Sequence, residues 1–301
     1  MKIVKGINIQ MKKVLAYIKL MRPKHYLKNG LVLVPLFFDM NFFDRLQLLK
    51  ILLGFFSFSF LSSIIYIIND INDIESDRQS EKKRKRPLAA GTVKKHEAII
   101  LVFILSIAVI LLELGIEGKG AEWLVIYLVL NLAYSLKLKQ VPIIDVAILA
   151  SGFLIRLLYG AAITDISISF WLCMTVVAFS FYMGLGKRRN ELQRGGDRAH
   201  EIRGVLKNYN SAFLDKNMYM CLGLAIAFYA LWSGADATIK KLGTDMQMWT
   251  VPLVILLAMK YSLNIEKGES GDPMEVILND KWLIIIGIIY IITLFGILYI
   301  L

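Results

Sequence analysis

Long apolar runs are the feature that most constrains this chain. Nine occur along its 301 residues, at 26–40, 46–68, 97–114, 121–137, 142–163, 168–186, 217–234, 246–263 and 282–301. A helix needs about 20 predominantly apolar residues to cross a bilayer. A chain built this way satisfies its backbone polar groups inside helices, because lipid offers no partners for them. The fold class expected is therefore all-α, a polytopic membrane protein of about nine transmembrane helices. The first run is short; it either spans only in part or extends back through 14–21. So little length remains between runs that residues 1–301 read as a single transmembrane domain. Hydrophobic residues make up 57% of the chain, against about 45–50% in a soluble domain. The first 13 residues are polar and basic, so no cleavable signal peptide is expected. Cys173 and Cys221 both fall inside apolar runs, where neither a disulfide nor a redox role is expected.

The net charge of +11 invites a nucleic-acid reading, which the distribution of charge removes. Taking the nine runs as spans, 29 of the 35 Lys and Arg fall on one side and five on the other, with Arg156 inside a span. This is the asymmetry of the positive-inside rule. It expects a cell-membrane protein with a cytoplasmic N-terminus, a basic arm over 1–25, and long cytoplasmic segments at 69–95 and 187–216. Function tends to sit on such segments.

The second run ends in YIINDINDIESDRQSEKKRKRPLAAG. Here Asn69, Asp70, Asp73 and Asp77 form N-D-x-x-D-x-x-x-D. On a helix the three aspartates fall within about 60° of one another. Like charges so placed repel unless a cation lies among them. Oxygen ligands that leave coordination positions open suit Mg²⁺ shared with a substrate phosphate. Such a metal neutralises charge building on a departing diphosphate. The plain alternative, a solvated acidic helix end, fits Glu75, which points off this face. The run Lys82 to Arg86 reads either as lipid-headgroup contact or as a lid bringing Arg84 or Arg86 to a phosphate.

Other polar groups gather at the same boundary. RPKHYLKN supplies Arg22, Lys24, His25, Lys28 and Asn29. His25 has no partner at metal-ligand spacing and reads as a hydrogen-bonded boundary residue. Tyr134, Lys137 and Lys139 end the fourth run. Asp145 and Arg156 share one span about three turns apart, so both are expected on one cavity without touching. Charges at this depth are costly and point to function, or else to structural interhelix bonds. Lys187, Arg188 and Glu191 end the sixth run. Lys187 and Glu191 share a helix face, and the cluster reads as a second phosphate site or as snorkelling cations.

At these residues the chain resembles the UbiA superfamily of intramembrane prenyltransferases, through Asn69, Asp70, Asp73 and Asp77. Most members carry a second Asp-rich motif after the sixth span, where this chain has GKRRNEL. With that departure, the pieces RPKHYLKNGLVLVPLFF, YSLKLKQVPIIDV and GDPMEVILNDKWL make it similar to a phosphoribosyl-transferring branch of the superfamily. His25-Tyr26 stands where Gln-Trp is expected.

The resemblance implies a UbiA-like bundle with a cytoplasmic-side active site. It implies Mg²⁺-dependent transfer of phosphoribosyl from phosphoribosyl diphosphate to a polyprenyl phosphate, with the bilayer as surroundings and no nucleic acid. A homo-oligomer is compatible with it. Asp70, Asp73 and Asp77, with Asn69, would hold Mg²⁺ and the diphosphate. Lys28, Lys187 and Arg188 would bind phosphate oxygens. Asp145 and Glu191 would take ribose hydroxyls or a second Mg²⁺, and Arg156 would order Asp145 or meet the lipid phosphate. Arg22, Asn29, Arg84, Tyr134 and Lys137 complete the expected substrate contacts. One rival is ordinary prenyl transfer to an aromatic or other small acceptor. A second is a transporter, which would need polar groups and broken helices near the bilayer midplane.

Overall fold

In a computed structural model, the structure describes residues 2–39, 43–81, 83–198, 203–267 and 273–300. Among these residues there is no β-strand. The helices are α1 (Lys2–Met21), α2 (Val34–Phe37), α3 (Arg45–Asn72), α4 (Ile74–Gln79), α5 (Lys95–Gly115), α6 (Ala121–Leu136) and α7 (Ile144–Thr164). They continue with α8 (Phe170–Gly195), α9 (Ser211–Gly234), α10 (Asp236–Leu242), α11 (Val251–Glu266), α12 (Pro273–Asn279) and α13 (Lys281–Tyr299). Lys82 of the basic run and Gly271–Asp272 of the GDPMEV piece lie outside the described residues.

Among the described residues, seven helical stretches are long and apolar enough to cross a membrane: α3, α5, α7, α8, α9, Met246–Glu266 and α13. The shorter apolar α6 makes an eighth. The segment expected as the first span behaves differently: Pro23–Leu33 winds as 3₁₀ helix and only Val34–Phe37 is α-helical. The chain is thus a multi-pass helical membrane protein; among the described residues the first of the nine apolar runs is the one that forms no long α-helix. The expected basic arm is also more ordered than a tail. It is helix α1, whose Ala16 and Leu20 join a cluster with Ile64 and Ile67 of α3 and Leu105 of α5.

Polar side chains fix where several spans begin. The Asp44 carboxylate accepts from the backbone N–H groups of Leu46 and Gln47 at the start of α3. Glu97 accepts from Lys94 N–H, Asn210 from Phe213 N–H, and Asp280 from Leu283 N–H. Each cap satisfies a donor that the first helical turn leaves open.

α3 is the central post. Its apolar window is 61% buried, against 11% for α5. It packs against α5, the 3₁₀ segment, α7, α1 and α6. Ser57, Ser59, Ser62 and Ser63 lie buried along it, and such small residues let helices approach closely. The outward face of α5 instead carries Phe103, Ile107, Ile110, Leu111 and Leu114, an apolar surface that lipid covers at no cost.

The 3₁₀ segment is seated by one backbone contact. A Cβ added at Gly160 of α7 would lie 2.1 Å from the carbonyl oxygen of Val32, so only glycine permits this approach. Gly160→Ala is expected to destabilise the protein by about 1–3 kcal/mol through overpacking. Gly287→Ala, where an added Cβ meets nothing within 4 Å, should not. Thermal unfolding of the two variants in the same detergent checks the contrast.

Candidate active site

At one end of the bundle, α3, α6, α7 and α8 surround a cavity of about 550 Å³. Its walls include seven cationic side chains, Arg22, Lys28, Lys83, Arg86, Arg156, Lys187 and Arg203, and three acidic ones, Asp70, Asp73 and Glu191. A partly enclosed space with this excess of positive charge attracts anions.

The acidic wall is the end of α3. The helix closes at Asn72, and Asp73 is at once its C-cap and the residue before α4. The i, i+4 ladder survives this break: Asp73 N–H donates to the Asn69 carbonyl at 2.9 Å, and Asp77 N–H to that of Asp73 at 2.8 Å. Asn69, Asp73 and Asp77 therefore stay stacked although they span two helices. Asp70 and Asp77 are 3% and 1% exposed.

Burying carboxylates requires counter-charge, and two distant segments supply it. Arg22 Nη2 lies 2.5 Å from Asp70 Oδ1. Arg86 Nη1 lies 3.0 Å from the same oxygen and 2.7 Å from Asp77 Oδ2. Lys83 Nζ lies 3.8 Å from Asp77 Oδ1, a buried oxygen that makes no hydrogen bond. Arg22 has a left-handed backbone, φ 56°, uncommon for a residue with a side chain. Its guanidinium lies 4.8 Å from the Tyr66 ring centre, so the ion pair and the ring hold a strained corner.

The opposite wall is α8, which runs on as helix to Gly195 where a loop was expected from residue 187. Its apolar part thereby continues into a polar rod bearing Lys187 and Glu191 on the cavity side. Arg188 faces inward and is fully buried. It donates through Nε to Asp145 Oδ2 at 2.5 Å and through Nη1 to Glu191 Oε2 at 2.9 Å. Tyr209 donates to Asp145 Oδ1 at 2.7 Å and accepts the Ile143 N–H at 2.6 Å. That bond helps hold Ile143 at φ 69°, a genuine outlier for a β-branched residue. Burial and the Asp145 carboxylate push the Tyr209 phenol up to about 12, so it remains a donor at neutral pH. Arg203 completes the wall, bonded to the Tyr134 hydroxyl at 2.6 Å and 3.3 Å from Glu191.

Of the residues expected at the site, Arg22, Lys28, Asn69, Asp70, Asp73, Tyr134, Arg156, Lys187 and Glu191 line the cavity. Six do not, and one expected pairing is absent. Arg188 is off the cavity wall, its guanidinium enclosed between Asp145 and Glu191. Asp145 is 0% exposed, bonded to Arg188 and Tyr209, and does not line the cavity. Arg156 does not order Asp145; it bonds Asn29, Tyr127 and the Gly152 carbonyl. Asn29 is buried between Arg156 and Ser59. Arg84 is exposed, and Arg86 is the arginine on the acids. Lys137 is exposed and off the cavity. Asp77 sits just behind the wall, with its open oxygen. Glu75 is exposed, as expected, and Cys173 and Cys221 are unbridged. Arg203, Lys83, Tyr66, Tyr127 and Asn131 also line the cavity. Only the charge of the two polar segments hinted at the first two; no spacing marks the others.

Among the described residues no three His, Cys, Asp or Glu side chains converge closely enough to enclose a metal alone. The donors still fit one kind of ion. Asp73 faces the cavity, Asp77 keeps a buried oxygen that makes no hydrogen bond and has Lys83 near it, and Asn69 adds an amide oxygen that accepts from Ser135. Such a partial oxygen set suits Mg²⁺, which keeps several positions for water or substrate phosphate.

The chain matches the sequence profile of the UbiA prenyltransferase family over residues 33–261. It is 31% identical over 294 residues to a decaprenyl-phosphate phosphoribosyltransferase from Mycolicibacterium smegmatis, covering 94% of this chain and 92% of the relative. A protein of the same description from Corynebacterium glutamicum is 30% identical, covering 94% and 86%. Among solved structures, a UbiA homolog from Archaeoglobus fulgidus bound to GPP and Mg²⁺ superimposes with a TM-score of 0.69 at 17% identity, over 95% of this chain and 100% of that one. The chain belongs to the UbiA prenyltransferase family.

The Asp145–Arg188 pair gives a prediction separate from catalysis. Arg188→Gln strands a buried carboxylate and is expected to cost about 3–5 kcal/mol. Asp145→Asn combined with Arg188→Gln should recover most of that loss. A double-mutant cycle by thermal unfolding checks both.

Proposed function

We propose that this protein transfers the 5-phosphoribosyl group of 5-phosphoribosyl 1-diphosphate to a polyprenyl phosphate, releasing pyrophosphate, at the cytoplasmic face of the cell membrane. The observation that carries the reading is the cavity's division: a carboxylate end suited to a metal–diphosphate, opposite a wall that bears Lys187 and a single arginine-braced carboxylate, Glu191. The full-length likeness to phosphoribosyltransferases supports the same donor.

The residues suit the steps. Asp73 and Asp77, with Asn69 and Asp70, would hold Mg²⁺, which when bound draws negative charge from the diphosphate. Arg86 and Arg22 already lie on the acids and are within reach of diphosphate oxygens. Guanidinium forks match such oxygens two at a time. Glu191, oriented by Arg188 and Arg203, would accept hydrogen bonds from ribose hydroxyls. In the reaction the bond from ribose C1 to the diphosphate oxygen breaks, its electron pair leaving with pyrophosphate. A lone pair on an acceptor phosphate oxygen forms the new bond to C1. The acceptor is ionised at neutral pH, so no side chain need remove a proton. Catalysis then consists of positioning and charge stabilisation.

The test is to incubate purified protein with donor labelled in the ribose, Mg²⁺ and a polyprenyl phosphate. Label is expected in the lipid fraction with one pyrophosphate released per transfer. Asp73→Asn should abolish transfer at unchanged melting temperature. An unlabelled lipid, with turnover instead of a prenyl diphosphate and an aromatic acceptor, would give the reaction to the prenyl-transfer rival.

A further inference from the structure

Three basic side chains are buried among the described residues: Arg156, Arg188 and Arg189. Arg188 is balanced by Asp145 and Glu191, and Arg189 by Asp215 and Glu266. Arg156 is different. Only 5% of it is exposed, it lies mid-span on α7, and no carboxylate among the described residues pairs with it. Its partners are neutral. Nε donates to Asn29 Oδ1 at 2.7 Å, Nη1 to the Gly152 carbonyl at 2.5 Å, and Nη2 to the Tyr127 hydroxyl at 3.0 Å. The rings of Phe58, Tyr127 and Phe153 surround the guanidinium carbon at 4.8, 4.9 and 5.7 Å.

Neutral dipoles and ring faces orient a cation but do not cancel its charge. A buried charge without a counter-ion is strongly unfavourable, and within a membrane span it marks function. Arg156 nonetheless lines the cavity. A guanidinium has five N–H groups, and the three bonds above leave two for a ligand. Asn29 joins Arg156 to Ser59, eleven residues before Asp70 on α3. That separation puts the guanidinium about 16 Å along the helix axis from the acidic end, with apolar Ile148, Leu149 and Phe153 beside it on the cavity wall.

We infer that Arg156 forms a second anion subsite at the membrane-embedded floor of the cavity, whose ligand is a phosphate monoester. The subsite is separate from the metal–diphosphate end. It rests on the phosphoribosyl-transfer reading only for which monoester arrives: the 5-phosphate of the donor or the phosphate of the lipid acceptor. The rigid aromatic cage keeps the fork aimed before the anion enters, and the anion supplies the charge the fold leaves out.

The experiment compares wild type, Arg156→Gln and Arg156→Lys in lipid nanodiscs. Binding of ribose 5-phosphate, of a polyprenyl monophosphate, and of Mg²⁺ with pyrophosphate is titrated separately, and melting temperature is recorded without ligand. Arg156→Gln is expected to weaken one monophosphate at least tenfold and leave Mg²⁺–pyrophosphate binding unchanged. Its ligand-free melting temperature should hold or rise, because an unbalanced charge has gone. The monophosphate that weakens identifies the source of the anion. Should the Gln variant not fold, Arg156→Lys decides. It keeps the charge and loses the fork, so several-fold weaker monophosphate binding supports the subsite and unchanged binding overturns it. Wild-type affinity for both monophosphates in Arg156→Gln also overturns it. If no phosphoribosyl transfer occurs but Arg156-dependent monophosphate binding persists, the reaction reading fails and the subsite stands.

Discussion

The Asp70 carboxylate, shared between Arg22 and Arg86, is the contact on which the polar end of this bundle depends. α3 emerges from the apolar core carrying carboxylates that cannot be buried alone. The arginines that answer them arrive from the end of α1 and from the stretch after α4, 48 and 16 residues away. One oxygen atom thus ties three segments over the cavity mouth. These pairs are only partly exposed, so solvent and salt weaken them less than surface pairs. They also occupy the oxygens that a metal and diphosphate would use. Under the proposed mechanism, ligand binding exchanges internal ion pairs for external ones at nearly constant local charge, which suits a site that fills and empties repeatedly.

The second wall follows a different rule. Arg188 is enclosed by Asp145, Glu191 and Tyr134, and its work is to hold Glu191 at the cavity edge and α7 against α8. Such a pair adds little net stability against an apolar alternative, yet is costly to break. Its use here is placement. The two walls therefore differ, with partly exposed ion pairs at the mouth and a fully buried one behind Glu191.

Much of this could be read from the chain. Apolar run lengths gave the helical membrane fold, and the N-D-x-x-D-x-x-x-D spacing gave the acidic wall, because both depend on local periodicity. The family resemblance rested on the same motif. The misreadings share one cause: spacing tells which face a residue occupies, not which neighbour covers that face. Lys187 and Arg188 are adjacent in sequence and equally basic, but a helix turns about 100° between them. One reaches the cavity and the other the interface with α7. Arg84 and Arg86 are likewise separated by the local turn alone. The short first apolar run warned of an incomplete span, but no spacing in Pro23–Leu33 announced its 3₁₀ form. Its path is fitted to Gly160 on a helix more than a hundred residues later. Arg156 stood out in the sequence as a charge inside a span, but its lack of a carboxylate partner is a tertiary fact.

The central claim is that the end of α3 receives a divalent cation together with a diphosphate, in exchange for its arginines. Electron paramagnetic resonance of Mn²⁺ titrated into the purified protein, with and without pyrophosphate, tests it most directly. Weak Mn²⁺ binding is expected for the cation alone, tight binding once pyrophosphate is present, and loss of the tight phase in Asp73→Asn. Tight binding of Mn²⁺ without any diphosphate, or a tight phase that survives Asp73→Asn, would contradict it.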